Sequence, residues 1–418
     1  MKVLVVGNGA REHALVWKIA QSNKVSKIYC APGNGGISNI AQCVNINPGD
    51  VDTLLGFALK EGIDLTVVGP ELPLVNGIVD KFNEKGLNIF GPNKKASMLE
   101  GSKTFSKRFM EKYDIPTARF KSYDNAQDAI GDLDNFDCPL VIKADGLAAG
   151  KGVVICNTYK EAEDTILQMI EKNKFGDAGK NIVIEEFLEG IEVSLLCFVD
   201  GKNIVPMESA RDYKKALDGD KGLNTGGMGC FSPNPILNEG LTNRINKEIL
   251  TKIMTGFNRE NIEFKGVLFI GFMITEKGPK ILEFNVRFGD PETEVVIPRL
   301  ESDIIDIFTK VIDGNINSSD IKWSNKRTLC VIAASGGYPE SYEKGKLVSG
   351  LDSLDDDILV FHGGTKNIDK DIYTNGGRVL AVTALGENLY EAREKAYKNI
   401  KKVKFQGIQY RNDIGKLD

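Results

Sequence analysis

The chain has 418 residues, a net charge of −5, 42% hydrophobic residues and 27% charged residues. At roughly 150 residues per domain its length suggests about three domains, and its slightly acidic balance argues against wholesale nucleic-acid binding. Seven scattered cysteines without a C-x-x-C pair point to reduced thiols in a cytoplasmic protein, the N-terminus lacks a signal-peptide layout, and no apolar run approaches the ~18 residues of a membrane span.

Residues 1–101 alternate short apolar strands (3–6, 26–31, 65–68, 88–90) with helical patterns, the first carrying Leu15, Val16 and Ile19 on one face and the later ones covering 51–61 and 74–85. This alternation predicts an α/β domain with a parallel, doubly wound sheet. A helix is expected over 102–113, with Ser102 as its N-cap and an end before Ile115-Pro116. Residues 118–188 read as a compact α/β unit with a helix at 159–171. A strand-rich stretch, including a hairpin from 266–275 to 280–287, runs to residue 322. The remainder, 323–418, predicts strands at 329–334, 358–362 and 379–384 and a helix at 387–401.

Several segments carry chemistry. Gly7-Asn8-Gly9 follows a strand and opens a helix, an arrangement that aims helix N–H groups at an anion. It fails as a dinucleotide fingerprint, because Glu12 stands at the third glycine and the second strand ends without a ribose-binding acid; a plain strand–helix turn is the other reading. Pro32-Gly33-Asn34-Gly35-Gly36 makes a second backbone-rich loop at the same sheet edge. In the run 142–154, Lys143 leads into a glycine-rich loop with Lys151. The loop reads as a phosphate cover or as an ordinary hairpin, but not as a Walker loop, since Gly152 follows the lysine. The apolar strand 182–184 ends in Glu185, Glu186, Phe187 and Leu188, followed by Glu192. Strand-end backbone can read an adenine edge and an acid can accept ribose hydroxyls, though such acids also occur simply as surface charge.

The run 281–287 alternates. Leu282, Phe284 and Val286 are expected in a core, with Glu283, Asn285 and Arg287 on the opposite face. A carboxylate and an amide oxygen suit Mg²⁺ or Mn²⁺, and the Arg287 fork suits a carboxylate or phosphoryl group; a solvated strand face is the plain alternative. The only histidines, His13 and His362, are expected to pack or orient rather than catalyse.

Taken together, these motifs resemble the phosphoribosylamine–glycine ligase family of the ATP-grasp superfamily. The resemblance runs from Gly7–Leu15 and Gly91-Pro92 through Gly101–Lys107, Asp145–Gly152, Glu185–Leu188, Asn224–Gly229 and Glu283–Glu292 to Tyr410–Gly415. It implies an N-terminal Rossmann-like domain (1–101), an ATP-grasp core (102–322) with a mobile lid inserted at 118–188, and a small C-terminal domain (323–418). It also implies ATP-dependent joining of glycine to 5-phosphoribosylamine through glycyl phosphate, in purine biosynthesis.

The resemblance further assigns residues. Lys107 and Lys143 would hold ATP phosphates, with Lys103 as the alternative to Lys107 and with Gly150, Lys151 and Gly152 in the covering loop. Glu185 would accept from the adenine amino group, beside Glu186, Phe187 and the Leu188 backbone, and Glu192 would bind the ribose. Glu283 and Asn285 would hold Mg²⁺ or Mn²⁺. Asp212, Lys214, Arg287 and Asp290 would line the reacting centre. Gly9, Gly33, Asn34, Gly35, Gly36, Asn224, Thr225 and Gly289 would contact substrate. One departure is that 267–275 carries no acid for a further metal ligand. A monomer without nucleic-acid or membrane partners is expected. Other ATP-grasp ligases, a carboxylase subunit and a non-catalytic nucleotide-binding module are the rival readings.

Overall fold

The structure, a computed structural model, describes residues 1–148 and 152–416, so Gly150 and Lys151 lie outside the described residues. The N-terminal sheet contains β1 (Lys2–Gly7), β2 (Lys27–Pro32), β3 (Gln42–Cys43), β4 (Leu65–Val68) and β5 (Ile89–Phe90), all parallel, in the order β3-β2-β1-β4-β5. Alternation explains its two covered faces. Val3 and Val5 pack with Ala14, Leu15 and Ile19 on one side, while Leu4 and Val6 pack with Leu54, Ala58 and Phe82 on the other. The single helix expected over 74–85 is two, Glu71–Val75 and Ile78–Glu84, broken at Gly77.

Ser102 ends the helix Lys94–Gly101 and caps the next, Lys103–Lys112, its Oγ accepting the Phe105 N–H at 3.1 Å. The following unit has its own sheet, β6 (Phe120–Tyr123), β7 (Leu140–Ala144), β8 (Val153–Cys156) and β9 (Ile182–Glu186), in the order β6-β9-β7-β8. A separate core of Tyr123, Leu140, Ile142, Ile166 and Ile184 supports it. Next come β10 (Ile191–Asp200), β11 (Ile204–Pro206), β12 (Arg211–Asp212), the hairpin β13 (Lys215–Leu217) and β14 (Lys221–Asn224), and β15 (Gly229–Ser232). The long hairpin β16 (Lys265–Thr275) and β17 (Gly278–Asn285) completes an antiparallel sheet, β11-β10-β16-β17.

Beyond it lie β18 (Arg327–Ala334), β19 (Leu347–Val348), β20 (Ile358–His362), β21 (Thr365–Ile368), β22 (Asp371–Thr374) and β23 (Arg378–Gly386), followed by the helix Leu389–Ile400. The C-terminal sheet is β12-β15-β18-β23-β20. Two strands from the middle of the sequence, β12 and β15, thus join the sheet of the C-terminal region. Among the described residues no helix is long and apolar enough to cross a membrane.

His13 and His362 meet where the N-terminal sheet joins the C-terminal domain. The His362 N–H donates to His13 Nδ1 at 2.8 Å, and the rings lie 5.5 Å apart. Only a glycine fits between them, since a Cβ on Gly36 would stand 2.4 Å from His13. Both rings are buried, as a packing role requires.

Candidate active site

A cleft of about 740 Å³ gathers residues from the N-terminal domain, the β6–β9 unit, the β10–β17 sheet and the segment 211–226. At one end, Lys107 comes from a helix and Lys143 from β7, and Glu185 of β9 lies between them. Each lysine Nζ is 3.0 Å from a Glu185 oxygen. Lys107 also donates to Thr117 Oγ1 at 2.7 Å and Lys143 to the Leu282 carbonyl at 3.2 Å. Burial pushes the Lys107 ammonium down to about 8 against the pull of Glu185. One buried carboxylate thus organises two ammonium groups. The resemblance makes Glu185 an acceptor for the adenine amino group; its side chain lies against both lysines, with Oε1 left without a hydrogen-bond partner. Glu186 is likewise engaged, accepting from the Arg119 N–H at 3.0 Å and from Lys280 at 2.7 Å. Phe187, Leu188 and Gly152 line the cleft beside them. Lys103, on the same helix as Lys107, also lines the cleft and reaches the Gly146 carbonyl at 3.3 Å.

Along the same cleft, Lys214 reaches Glu192 at 3.2 Å and Glu283 at 3.7 Å. Burial opposes ionisation of Glu283, but Lys214, Lys143 and Lys103 outweigh it and hold the carboxyl below its usual range. The strand face differs from strict alternation at one residue. A bulge in the β16–β17 pairing sets Gly271 against Glu283 but Phe272 against Ile281, so Leu282 is extra. Ile281 takes the core position, and Leu282 joins Glu283, Asn285 and Arg287 in lining the cleft.

Arg287 is held from several sides. Its Nη2 lies 3.0 Å from Glu100 and donates to Asn285 Oδ1 at 3.1 Å, and its Nη1 donates to the Phe288 carbonyl at 3.2 Å. Glu71 stands 3.4 Å from its Nε, close enough for charge attraction but without hydrogen-bond geometry. The next turn places Asp290 2.9 Å from Arg378. Burial works against the Asp290 charge, and Arg378 and Arg11 overcome it. Asp212 keeps one buried oxygen without a partner, and burial together with Glu292 raises its pKa well above normal. Gly227 allows this crowding, with φ at +112° and a Cβ position that would fall 2.6 Å from Asp212 Oδ1. Asn224 and Thr225 line the cleft. Gly289 does not; its carbonyl anchors the turn through the Thr293 N–H at 3.3 Å.

The N-terminal glycine loops form part of a smaller pocket of about 260 Å³, where Gly9, Gly33 and Asn34 face Gly363, Gly364, Thr365 and Arg378. Asp290 and Arg378 border both cavities. Four of the expected backbone donors are already engaged. Gly9 N–H donates to Glu12 at 2.5 Å, Gly33 to the Gly7 carbonyl at 3.1 Å, Gly35 to the Thr365 carbonyl at 3.3 Å and Gly36 to Asn34 Oδ1 at 3.0 Å. Glu12, at the third-glycine position, turns its own carboxylate onto the Gly9 N–H. Gly35 and Gly36 stand behind the pocket and shape the loop. Sequence reasoning missed Glu71, Glu100, Arg11 and Arg378. Arg11 stood inside the run Gly7–Leu15 without a role assigned to it, and Arg378 follows the run Asn375-Gly376-Gly377 just before a strand.

Among the described residues no group of three or more His, Cys, Asp or Glu could hold a metal. Glu283 and Asn285 instead offer one carboxylate and one amide oxygen on a single strand face. Hard oxygen donors of this kind fit Mg²⁺ or Mn²⁺ if phosphates and water complete the shell.

The chain matches the N domain of phosphoribosylglycinamide synthetase over residues 1–100, its ATP-grasp domain over 101–293 and its C domain over 328–417. It is 50% identical over 414 residues to phosphoribosylamine–glycine ligase of Caldanaerobacter subterraneus subsp. tengcongensis, covering 99% of each chain. It is also 50% identical to the Clostridium acetobutylicum protein of the same name, covering 100% of each. The crystal structure of phosphoribosylamine–glycine ligase from Thermotoga maritima superposes with a TM-score of 0.85 at 34% identity, covering 99% of this chain and 100% of that one. On its sequence, its fold and the architecture of its cleft, the chain belongs to the phosphoribosylglycinamide synthetase family.

Proposed function

We propose that this chain joins the carboxylate of glycine to the amine of 5-phosphoribosylamine, giving glycinamide ribonucleotide while ATP becomes ADP and phosphate. The observation that carries this reading is the two-ended cleft. The Lys107–Glu185–Lys143 bridge stands at one end, and the Glu283, Asn285 and Arg287 face, with Lys214 beside it, lines the other.

In this reading Lys107 and Lys143 hold the ATP phosphates, and Glu185 keeps both ammonium groups aimed when the site is free of nucleotide. The backbone near Leu188 meets the base and Glu192 the ribose. Glu283 and Asn285 would hold a Mg²⁺ or Mn²⁺ ion, which when bound offsets phosphate charge. Arg287 orients the glycine carboxylate, whose oxygen forms a bond to the γ-phosphorus as the bond to ADP breaks. The amine then attacks the acyl carbon of glycyl phosphate, phosphate leaves, and the amine sheds a proton. Asp212 lines this end of the cleft, where burial and Glu292 favour its neutral form. Asp290 and Arg378, shared by the cleft and the smaller pocket, border the path for the phosphoribosyl acceptor; Asn8, Gly9 and Asn34 line that pocket. The proposed enzyme acts as a monomer, and its seven free cysteines are in keeping with a cytoplasmic location.

The deciding assay supplies freshly generated phosphoribosylamine, glycine and ATP. Equal amounts of glycinamide ribonucleotide, ADP and phosphate are expected. Phosphate release that depends on a different acid–amine pair would overturn the substrate assignment and leave the fold untouched.

A further inference from the structure

The run Tyr410–Gly415 lies outside the cleft, yet Arg411 is 1% exposed and heads the largest fully buried side chains. Its bonds point to one place. Nη1 donates to the Lys215 carbonyl at 3.1 Å and to Asp220 at 2.7 Å, while Nε and Nη2 donate to Asp413 at 2.8 and 2.7 Å. The guanidinium lies 5.0 Å from the Tyr213 ring. Asn412 binds Asp218 through its backbone N–H at 2.7 Å and its side-chain amide at 3.0 Å. The Gly219 N–H donates back to Asp413 at 2.8 Å, and the Gly415 N–H donates to the Tyr213 hydroxyl at 3.1 Å.

Apart from the Arg411–Asp413 pair, these contacts end on residues 213–220, which lead into the β13–β14 hairpin and form its first strand and turn. That hairpin is a separate two-stranded sheet with an irregular register, and its Leu217 and Leu223 are 57% and 53% exposed. Two strands without a covered face do not hold a fixed shape in water. The base of the hairpin nevertheless carries Lys214, the ammonium between Glu192 and Glu283. Thr225 closes that base, donating from Oγ1 to the Lys214 carbonyl at 2.8 Å.

We propose that Arg411, Asn412 and Asp413 are positioning residues of the active site, a C-terminal strap that fixes the 213–224 hairpin and thereby sets Lys214 between Glu192 and Glu283. The strap touches no substrate. It acts by supplying the order that the hairpin lacks, and a small displacement of a charged group at a reacting centre is enough to slow chemistry. The inference rests on the ligase reading of the cleft.

The test compares the full-length wild type with Arg411→Lys and with the double variant Asn412→Ala/Asp218→Asn, which leaves the buried Arg411–Asp413 pair in place. Amide hydrogen exchange over 215–224 should speed by about tenfold or more, with the N-terminal sheet unchanged. Turnover should fall roughly 10- to 100-fold, while ATP binding without the other substrates stays within about threefold, because Lys107 and Lys143 stand on other elements. Lys214→Met should lower turnover similarly, and adding it to the double variant should give far less than the product of the separate losses. Unchanged exchange, wild-type turnover with a loosened hairpin, or fully multiplicative losses would each overturn the strap. If Arg411→Lys fails to fold, the double variant decides alone. A wild-type protein that forms no glycinamide ribonucleotide would sink the ligase reading instead, and hydrogen exchange would still decide whether the strap orders the hairpin.

Discussion

Glu100 and Arg287 meet at 3.0 Å, and the other oxygen of the same carboxylate takes the Val286 N–H at 2.7 Å. One side chain at the end of a helix therefore fixes both the guanidinium and the backbone that presents it. Asn285 Oδ1 and the Phe288 carbonyl occupy further donors of the fork. A lysine is a point charge on a flexible stem and cannot serve these partners together. Arg287→Lys should lower turnover by roughly 100-fold and leave ATP affinity nearly unchanged in calorimetric titration. Wild-type turnover in the variant would show that the fork is dispensable.

The pair also predicts a pH dependence. Burial raises the Glu100 carboxyl to about 7, with Arg287 opposing the shift and Glu71 adding to it. Above that value Glu100 is charged and pairs with Arg287; below it the carboxyl takes a proton and the pairing weakens. Glycine-dependent kcat/KM should therefore fall as pH drops from about 8 to about 6. Stability runs the other way. The folded chain holds this proton more tightly than the unfolded one, so that contribution is present at low pH and is lost as pH rises from about 4.3 towards 7. Glu100→Gln should lower activity and abolish the acid limb. A limb that persists in the variant belongs to another group.

Glu283 faces the cleft through a strand bulge and is held ionised by surrounding lysines. Glu283→Gln keeps the shape and removes the charge. The variant should fold with an unchanged far-ultraviolet spectrum, need much more Mg²⁺ or Mn²⁺ for half-maximal rate, and turn over roughly 100-fold more slowly at ordinary metal concentration. Full activity at ordinary Mg²⁺ would remove Glu283 from the metal site.

Local pattern made much of this molecule legible. Apolar strands separated by amphipathic helices gave the parallel sheet, and the polar residues of 283–287 gave the strand that faces the cleft. The single error on that strand, Leu282, comes from a bulge, which depends on the partner strand and leaves no mark in a two-residue period. The engagement of the Gly9 N–H was hidden for a related reason. Nothing local shows that the Glu12 side chain folds back onto the Gly9 N–H. Glu71, Glu100 and Arg378 act through contacts between distant segments, and a lone acid at a helix end looks like any solvated charge.

The histidine pair predicts how stability responds to acid. Burial pushes His13 down to about 3, with His362 adding to the shift, and burial alone pushes His362 down to about 4. In the unfolded chain each takes a proton near pH 6.5. Below that pH the unfolded state binds more protons than the folded one, so stability present at neutral pH declines as pH falls towards 4. Between those limits each histidine contributes a slope of roughly 1.4 kcal/mol per pH unit. His13→Asn retains an acceptor for the His362 N–H, which now lies 2.8 Å from Nδ1, and removes one titrating ring. Urea unfolding at a series of pH values between about 6 and 4.5 should give a shallower loss of stability in the variant than in the wild type. Equal slopes would assign the acid sensitivity to the carboxylates of the cleft rather than to this buried pair.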